Sequence, residues 1–260
     1  MTDGPWIRKE VIGDATLYLG DCREIVPAIE PCDAFCSDPP YGQAVKVNTF
    51  YAGGKRSRAV LQRSGGPSVV HGVMHAPIFG DDAPFDPLPL LKWIGHRPAI
   101  VWGAHKFADR MPAGSWLVWD KVPNGKRRNQ GDGEAAWTNL EHPLRIYRLL
   151  WDGLCVGKGA RHEVTAGQQR VHPTQKPEAL MAWCLRQIPA NAISVCDPYM
   201  GAGSTGVAAL KSGRRFTGIE IVPEYFEISC RRIAETWKQP RLFAGGGDET
   251  DSRTVRDGDA

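Results

Sequence analysis

The stretch Ala192-Ile-Ser-Val-Cys196, continued by Asp197-Pro-Tyr-Met-Gly-Ala-Gly-Ser-Thr-Gly206, determines the fold class of this 260-residue chain. A short β-prone apolar run leads into a turn rich in glycine, which predicts that a strand ends at the turn. The residues that follow predict a helix from Ser204 to Lys211, closed by Ser212-Gly213 as a C-terminal stop. A strand, a glycine turn and a helix in this order are typical of α/β domains.

The sequence after this helix repeats the order of strand and helix. Arg215–Ile219 predicts a second strand with Glu220 at its end, and Pro223 begins a helix that runs to about Trp237. This β-α-β-α unit is of the kind that builds a parallel sheet. Upstream, the apolar patterns predict four further strands and one helix, at Ala15–Leu19, Asp33–Cys36, Ala99–Trp102 and Trp116–Trp119, and at Lys176–Ile188.

The glycine turn is predicted to bind a cofactor that contains adenosine. Gly201–Gly206 matches G-x-G-x-x-G, and Glu220 follows Gly201 by nineteen residues, at the end of the next strand. Glycines let the backbone approach the ligand closely, and a carboxylate at this place can accept hydrogen bonds from both ribose hydroxyls. NAD and S-adenosylmethionine both fit this geometry. Fewer than sixty residues follow the turn, which argues against a dehydrogenase domain that begins with it.

A second candidate site follows the predicted strand that ends at Cys36. It reads Ser37-Asp38-Pro39-Pro40-Tyr41-Gly42. The two prolines remove two backbone donors, so carbonyl oxygens are left as acceptors beside a carboxylate and an aromatic ring. This combination suits a planar group with an exocyclic amine. Asp38 and a proline carbonyl would accept the amine hydrogens while Tyr41 stacks on the ring.

Asp38–Tyr41 resembles the catalytic tetrapeptide of the amino-group DNA methyltransferases, which methylate adenine N6 or cytosine N4 with S-adenosylmethionine. The tetrapeptide precedes the glycine loop, as in the permuted β class of this family. The resemblance implies a Rossmann-like, S-adenosylmethionine-dependent methyltransferase fold of the α/β class, with a mostly parallel sheet, helices on both faces and circularly permuted motif order. Further segments that resemble the family are Leu19–Cys22, Trp116–Lys121, Glu134–Asn139, His172–Pro177 and Asp197–Thr205.

The resemblance also implies which residues form the site. The amine would attack the sulfonium methyl directly, so no covalent intermediate is needed. The expected target is N6 of an adenine flipped out of the duplex. Cytosine N4 stays the close alternative because the same tetrapeptide serves cytosine-N4 enzymes, but serine more often begins it there, so Asp38 favours adenine. The implied catalytic residues are Asp38, Pro39, Pro40 and Tyr41. The implied cofactor-binding residues are Asp21, His172, Thr174, Lys176, Asp197, Pro198, Met200, Gly201, Gly203, Ser204, Thr205 and Glu220.

The net charge of +3 conceals an uneven distribution. The segment 42–80 contains basic residues and no acidic one, whereas the last sixteen residues carry five acids and two arginines. Double-stranded DNA is the partner expected from the resemblance, and basic side chains would bind its phosphates. The candidate DNA contacts are Lys46, Lys55, Arg56, Arg58, Arg63, Lys126, Arg127 and Arg128.

One methyltransferase domain is expected over residues 1–244. Within it, 42–80 is predicted to be a mobile loop and 140–171 a small target-recognition region, and 245–260 has the composition of a disordered acidic tail. A homodimer and a cognate restriction endonuclease are partners that the sequence leaves open.

Other classes of protein fit the sequence less well. No apolar stretch approaches the roughly 18 residues needed to span a bilayer, so a soluble cytoplasmic protein without a membrane partner is expected. The seven cysteines contain no Cys-x-x-Cys pair, which favours reduced core thiols over zinc ligands or disulfides, and no metal is expected. A nicotinamide-dependent oxidoreductase leaves Asp38–Tyr41 unexplained, and an inactive nucleic-acid-binding relative would not need that tetrapeptide intact.

Overall fold

The computed structural model describes residues 4–42, 79–122, 131–150 and 175–239. Its strands are β1 (Arg8–Ile12), β2 (Ala15–Leu19), β3 (Ala34–Ser37), β4 (Ala99–Trp102), β5 (Ser115–Asp120), β6 (Gly133–Thr138), β7 (Arg145–Arg148), β8 (Ser194–Asp197) and β9 (Arg215–Glu220). Its α-helices are α1 (Cys22–Ile25), α2 (Leu88–Ile94), α3 (Glu178–Leu185), α4 (Ser204–Lys211) and α5 (Pro223–Lys238). In these ranges no helix combines the length and the apolar character that a bilayer crossing requires.

The described strands form one mixed sheet in the order β1-β2-β9-β8-β3-β4-β6-β5-β7. From β2 to β4 the neighbours are parallel, and β7 is parallel to β5. The prediction of a mostly parallel sheet therefore holds for the centre of the sheet, but each flank contains antiparallel pairs. On one flank β1 is antiparallel to β2, and on the other β6 is antiparallel to both β4 and β5. Only two residues, Gly13 and Asp14, separate β1 from β2, and so short a connection forces the chain to reverse.

Helices cover both faces of the sheet, as expected. In β3, Ala34 and Cys36 pack into a core cluster that also contains residues of α3, α4 and α5. The intervening Phe35 packs into a second cluster with Leu90 and Ile94 of α2. Successive side chains of a strand point to opposite faces, so a strand that is apolar at every position is buried on both sides.

The elements predicted from the strongest patterns have the bounds expected of them. β2, β4 and α4 agree residue for residue with the prediction, and α5 runs one residue past Trp237. The helix predicted at Lys176–Ile188 begins two residues later, because Pro177 is extended and precedes α3, and it ends three residues earlier, at Leu185. The strands that were not predicted are β1, β6 and β7, and the helices that were not predicted are α1 and α2.

The chain reverses its direction of travel across the sheet between β8 and β3. From β8 it passes through α4 to β9 on one side, whereas from β3 it continues to β4 on the other side. In open α/β sheets the crevice at such a switch point, at the carboxyl ends of the strands, is the usual place for a ligand. Both predicted motifs follow these two strands directly.

Candidate functional site

The loops that follow β3 and β8 meet at the carboxyl edge of the sheet. The two strands are parallel neighbours, with Ala34 beside Val195 and Phe35 beside Cys196. A cavity between the loops is lined by the first residue of the tetrapeptide, by the segment that leads into α3, and by the glycine turn. The lining residues are Asp38, Gln175, Lys176, Met181, Asp197, Tyr199, Met200, Gly201, Ala202, Ser204 and Thr205.

The glycine turn requires glycine for two different reasons. Gly201 and Gly203 have φ angles of 51° and 77°, in the left-handed region that residues with a Cβ rarely adopt. At Gly206 a Cβ would lie 2.7 Å from the Phe216 ring and 2.8 Å from Ile233. The first two glycines therefore shape the turn, and the third lets α4 pack closely on β9 and α5.

Asp197 ties the glycine turn to the end of β3. Its Oδ1 accepts hydrogen bonds from the Ser37 hydroxyl at 2.6 Å and from the Tyr199 amide at 3.1 Å, and its Oδ2 accepts from the Thr205 hydroxyl at 2.6 Å. Burial raises the pKa of Asp197 to about 6, although these hydrogen bonds favour the carboxylate. The side chain therefore holds the two loops in register.

Glu220 lies at the end of β9 and is 9% exposed. Its Oε2 accepts the Gly201 amide at 2.9 Å and its Oε1 accepts the Val222 amide at 2.8 Å. Each carboxylate oxygen has a further lone pair, so hydroxyl groups could still donate to it. Burial raises the pKa of Glu220 to about 7.

The raised pKa of Glu220 predicts a pH dependence of stability. Between the ordinary pKa of 4.5 and about 7 the folded state binds more protons than the unfolded state. The free energy of unfolding should therefore fall as pH rises through this window, by up to about 1.4 kcal/mol per pH unit.

Urea unfolding of the parent protein and Glu220→Gln at pH 5 and pH 8 measures this effect. The variant lacks the titrating group, so its loss of stability on going to pH 8 should be smaller than that of the parent. Equal losses in the two proteins would contradict the expected titration.

Asp21 lies beside Glu220, and its carboxylate is hydrogen-bonded and ion-paired to Arg23. The Gly20 amide donates to the Glu220 carbonyl at 2.9 Å, which places the end of β2 next to the end of β9. The Asp21 carboxylate accepts the Arg23 amide at 2.8 Å and pairs with the Arg23 guanidinium at 2.5 Å. The hydrogen bonds from Arg23 lower the pKa of Asp21. Neither Asp21 nor Glu220 lines the cavity described above, and the same holds for Pro198 and Gly203.

The tetrapeptide holds its carboxylate in a buried network. The Tyr41 hydroxyl donates to Asp38 Oδ1, and Lys176 Nζ donates to Asp38 Oδ2 at 2.6 Å and to the Tyr41 hydroxyl at 2.9 Å. Burial raises the pKa of Asp38, against the opposing charge of Lys176. The Tyr41 ring packs on Gly103, where a Cβ would lie 1.8 Å from a ring carbon.

Lys176 links the tetrapeptide to a second carboxylate. Its side chain is 6% exposed, and Nζ lies 3.0 Å from Glu134 Oε2. Lys121 contacts the other oxygen of Glu134. Burial disfavours the charged forms of Glu134 and Lys176. At Glu134 the charges of Lys176 and Lys121 outweigh burial and lower the pKa of Glu134 to about 2. The carboxylates of Asp38 and Glu134 likewise hold the pKa of Lys176 well above its usual value.

The sequence had not pointed to this network. Lys176 was expected to bind the cofactor, and the structure bonds its ammonium to the tetrapeptide at the cavity wall. Glu134 and Lys121 belong to segments that resemble the methyltransferase family, but no contact of either with the tetrapeptide or with Lys176 was predicted. The available signal was one carboxylate two residues before the buried strand residues Ala136–Thr138.

Several predicted residues lie outside the described ranges. These are the cofactor-binding candidates His172 and Thr174, all the DNA-contact candidates, most of the loop at 42–80, most of the recognition region at 140–171, and the tail. The part of the recognition region that is described includes β7, which joins the main sheet beside β5. The DNA-contact candidates are Lys46, Lys55, Arg56, Arg58, Arg63, Lys126, Arg127 and Arg128.

Comparison with known proteins relates parts of this chain to DNA methylases. Residues 104–231, just under half of the chain, match the N6_N4_Mtase family model, described as a DNA methylase. A stretch of 62 residues is 45% identical to the DNA adenine methyltransferase YhdJ of Escherichia coli (strain K12), over 24% of this chain and 21% of that protein. The chain thus spans about a fifth of the length of the curated relatives it matches.

Two solved structures share the fold. The M1.HpyAVI–SAM complex superposes with a TM-score of 0.51 at 20% identity, over 84% of this chain and 98% of that chain. PvuII DNA methyltransferase (cytosine-N4-specific) has a TM-score of 0.52 at 14% identity, over 89% of this chain and 95% of that chain. At these identities the likeness establishes a common mixed α/β fold.

Proposed function

We propose that this chain is a DNA methyltransferase of the N6/N4 amino-methylase family that transfers a methyl group from S-adenosylmethionine to an exocyclic amine. This proposal rests on one observation. Asp38 and the glycine turn line the same cavity, at the switch point of the sheet. The family match over 104–231 supports the same function. The tetrapeptide precedes the glycine turn along the chain, and on this order we propose the permuted β class.

The residues present fit S-adenosylmethionine. The left-handed glycines leave room for the ligand at the backbone, and Met181 and Met200 offer thioether and methylene surface inside the cavity. Asp197 and Glu220 keep the turn in shape through their hydrogen bonds. When bound, the cofactor supplies an electrophilic methyl group on its sulfonium.

The acceptor amine is oriented by Asp38 and by a carbonyl of the proline pair. Both are acceptors, and neither Pro39 nor Pro40 has an N–H that would compete for them. Two accepted hydrogens direct the nitrogen lone pair away from the protein and toward the methyl carbon. The amine loses a proton after transfer, and Asp38 or water receives it. Catalysis then consists of positioning and electrostatics, without a covalent intermediate.

Adenine N6 is the proposed target and cytosine N4 the alternative. Asp38 at the head of the tetrapeptide favours adenine, as does the stretch that is similar to an adenine methyltransferase. Cytosine N4 offers the same pair of amine hydrogens to Asp38. The similarity in fold to a cytosine-N4-specific enzyme does not distinguish the two.

Duplex DNA is the proposed substrate, and the target base must leave the stack to reach Asp38. Extrusion costs a few kcal/mol by general estimate, and contacts to phosphates offset part of it. The two basic segments around Lys55 and Arg127 supply charges for such contacts. If they bind phosphates, affinity for DNA falls with rising salt concentration.

Incubation with labelled S-adenosylmethionine and duplex DNA of mixed sequence tests the proposed function. Digestion and mass measurement of the nucleosides should show N6-methyladenine. N4-methylcytosine would replace the proposed target with the alternative. If the folded protein transfers no methyl group to any nucleic acid, the proposed function is wrong.

A further inference from the structure

Four charged side chains form a chain of alternating sign that begins at the cavity wall, where Asp38 and Lys176 line the cavity. They follow the order Asp38, Lys176, Glu134, Lys121, and their formal charges cancel. The Lys176 ammonium lies 2.6 Å from Asp38 Oδ2 and 3.0 Å from Glu134 Oε2, and Lys121 contacts Glu134 Oε1. The four side chains are between 6% and 21% exposed, so solvent screens these charges only in part.

The Lys176 ammonium is a donor that would compete with the acceptor amine for Asp38. Asp38 accepts a hydrogen bond from Lys176 at one oxygen and from the Tyr41 hydroxyl at the other. A substrate amine that donates to Asp38 must therefore share an oxygen with one of these donors or displace it. Lys176 has a second anionic partner in Glu134, whereas the Tyr41 hydroxyl is bonded to Asp38 and to Lys176 itself.

Glu134 presents one carboxylate oxygen to the Lys176 ammonium. Its Oε2 is buried and has no hydrogen-bond partner among the described residues, although Lys176 Nζ lies within ion-pair distance of it. Its Oε1 is held by Lys121, at the paired ends of β5 and β6. The carboxylate is therefore held by Lys121 on one oxygen, and its other oxygen faces the Lys176 ammonium at 3.0 Å.

We propose that Glu134 is a positioning residue that draws the Lys176 ammonium away from Asp38 when the acceptor amine binds. This inference rests on the proposed methyltransferase function. The flexible end of Lys176 completes its hydrogen bond to Glu134 Oε2, and Asp38 Oδ2 becomes free to accept from the amine. Lys176 stays charged throughout, so its nitrogen has no lone pair with which to compete for the methyl group.

Glu134→Gln keeps the shape of the side chain and removes the charge that attracts Lys176. Its kcat/KM for DNA should fall by about tenfold or more, since the ammonium then remains on Asp38. The Kd of S-adenosylmethionine, measured by calorimetry, should stay within about threefold of the parent value. Glu134→Asp should recover part of the loss. Glu235→Gln, an exposed position on α5, makes the same chemical change away from the site and should leave kcat/KM unchanged.

A double-mutant cycle separates this role from a purely structural one. In the Lys176→Met background no ammonium competes for Asp38, so adding Glu134→Gln should change kcat/KM by less than about twofold. In the Lys176→Arg background the charge remains and Glu134→Gln should keep most of its effect. An equal effect in all backgrounds, or an unchanged kcat/KM for Glu134→Gln alone, would overturn the inference. Absence of methyl transfer by the parent would overturn the proposed function and this inference together.

Discussion

Asp38→Ala is expected to lower kcat/KM for methyl transfer to DNA by about a thousandfold or more. The substitution removes the carboxylate that would accept the amine hydrogen, and the neighbouring Glu134 carboxylate is paired with Lys176 and Lys121. Binding of S-adenosylmethionine should persist within about threefold, because the Asp197 hydrogen bonds do not involve Asp38. Single-turnover assays and calorimetry on the same preparation measure both quantities.

Two further variants make this prediction specific. Asp38→Asn keeps the shape but turns an NH₂ group toward the Lys176 ammonium or the Tyr41 hydroxyl, so it should lose most of the activity as well. Asp109→Ala makes the same change as Asp38→Ala at a side chain that is 79% exposed, and should leave kcat/KM unaltered. Turnover by Asp38→Ala at the parent rate would refute the catalytic role.

Asp197→Ala is expected to reduce the free energy of unfolding by about 3 kcal/mol at pH 5. The change leaves two buried hydroxyls, of Ser37 and Thr205, and the Tyr199 amide without their acceptor. At pH 5 the carboxyl group is mostly protonated, since its pKa is about 6, so the substitution gains little from removing a buried charge. Because the turn loses its link to β3, binding of S-adenosylmethionine should weaken by at least about tenfold.

Urea unfolding and calorimetry measure the two effects of Asp197→Ala. Asp197→Asn is the matched variant, because its amide can accept from Ser37 and Tyr199 and donate to the Thr205 hydroxyl. It should retain most of the stability. A loss below about 1 kcal/mol for Asp197→Ala would show that the three donors find other partners.

The elements that could be predicted are those whose residues are apolar on both faces or bounded by strong stop signals. β2, β4 and α4 belong to this group, and Ser212-Gly213 ends α4 where expected. β7 reads Arg-Ile-Tyr-Arg and is largely exposed, so its residues carry no burial pattern; it is a strand because β5 offers it an edge. The antiparallel flanks depend in the same way on pairing partners and not on local composition.

The two site motifs could also be found in advance. Asp38–Tyr41 and Asp197–Gly206 are continuous along the chain, and each follows a strand, so local chemistry reveals them. Their meeting at one cavity follows from the adjacency of β3 and β8. The sequence suggests this adjacency only through the resemblance to a known family.

The ion pairs around Asp38 could not be predicted from local sequence. Lys176 lies 138 positions from Asp38 along the chain, and Glu134 stands on a strand that no pattern predicted. Whether these charges contact each other depends on sheet order and on the register of β5 against β6, to within one residue. Motif chemistry and buried strands are local properties that the amino-acid order encodes directly. The ion-pair chain that controls Asp38 is a property of the packed sheet, because a hydrogen bond tolerates displacements of only a few tenths of an ångström.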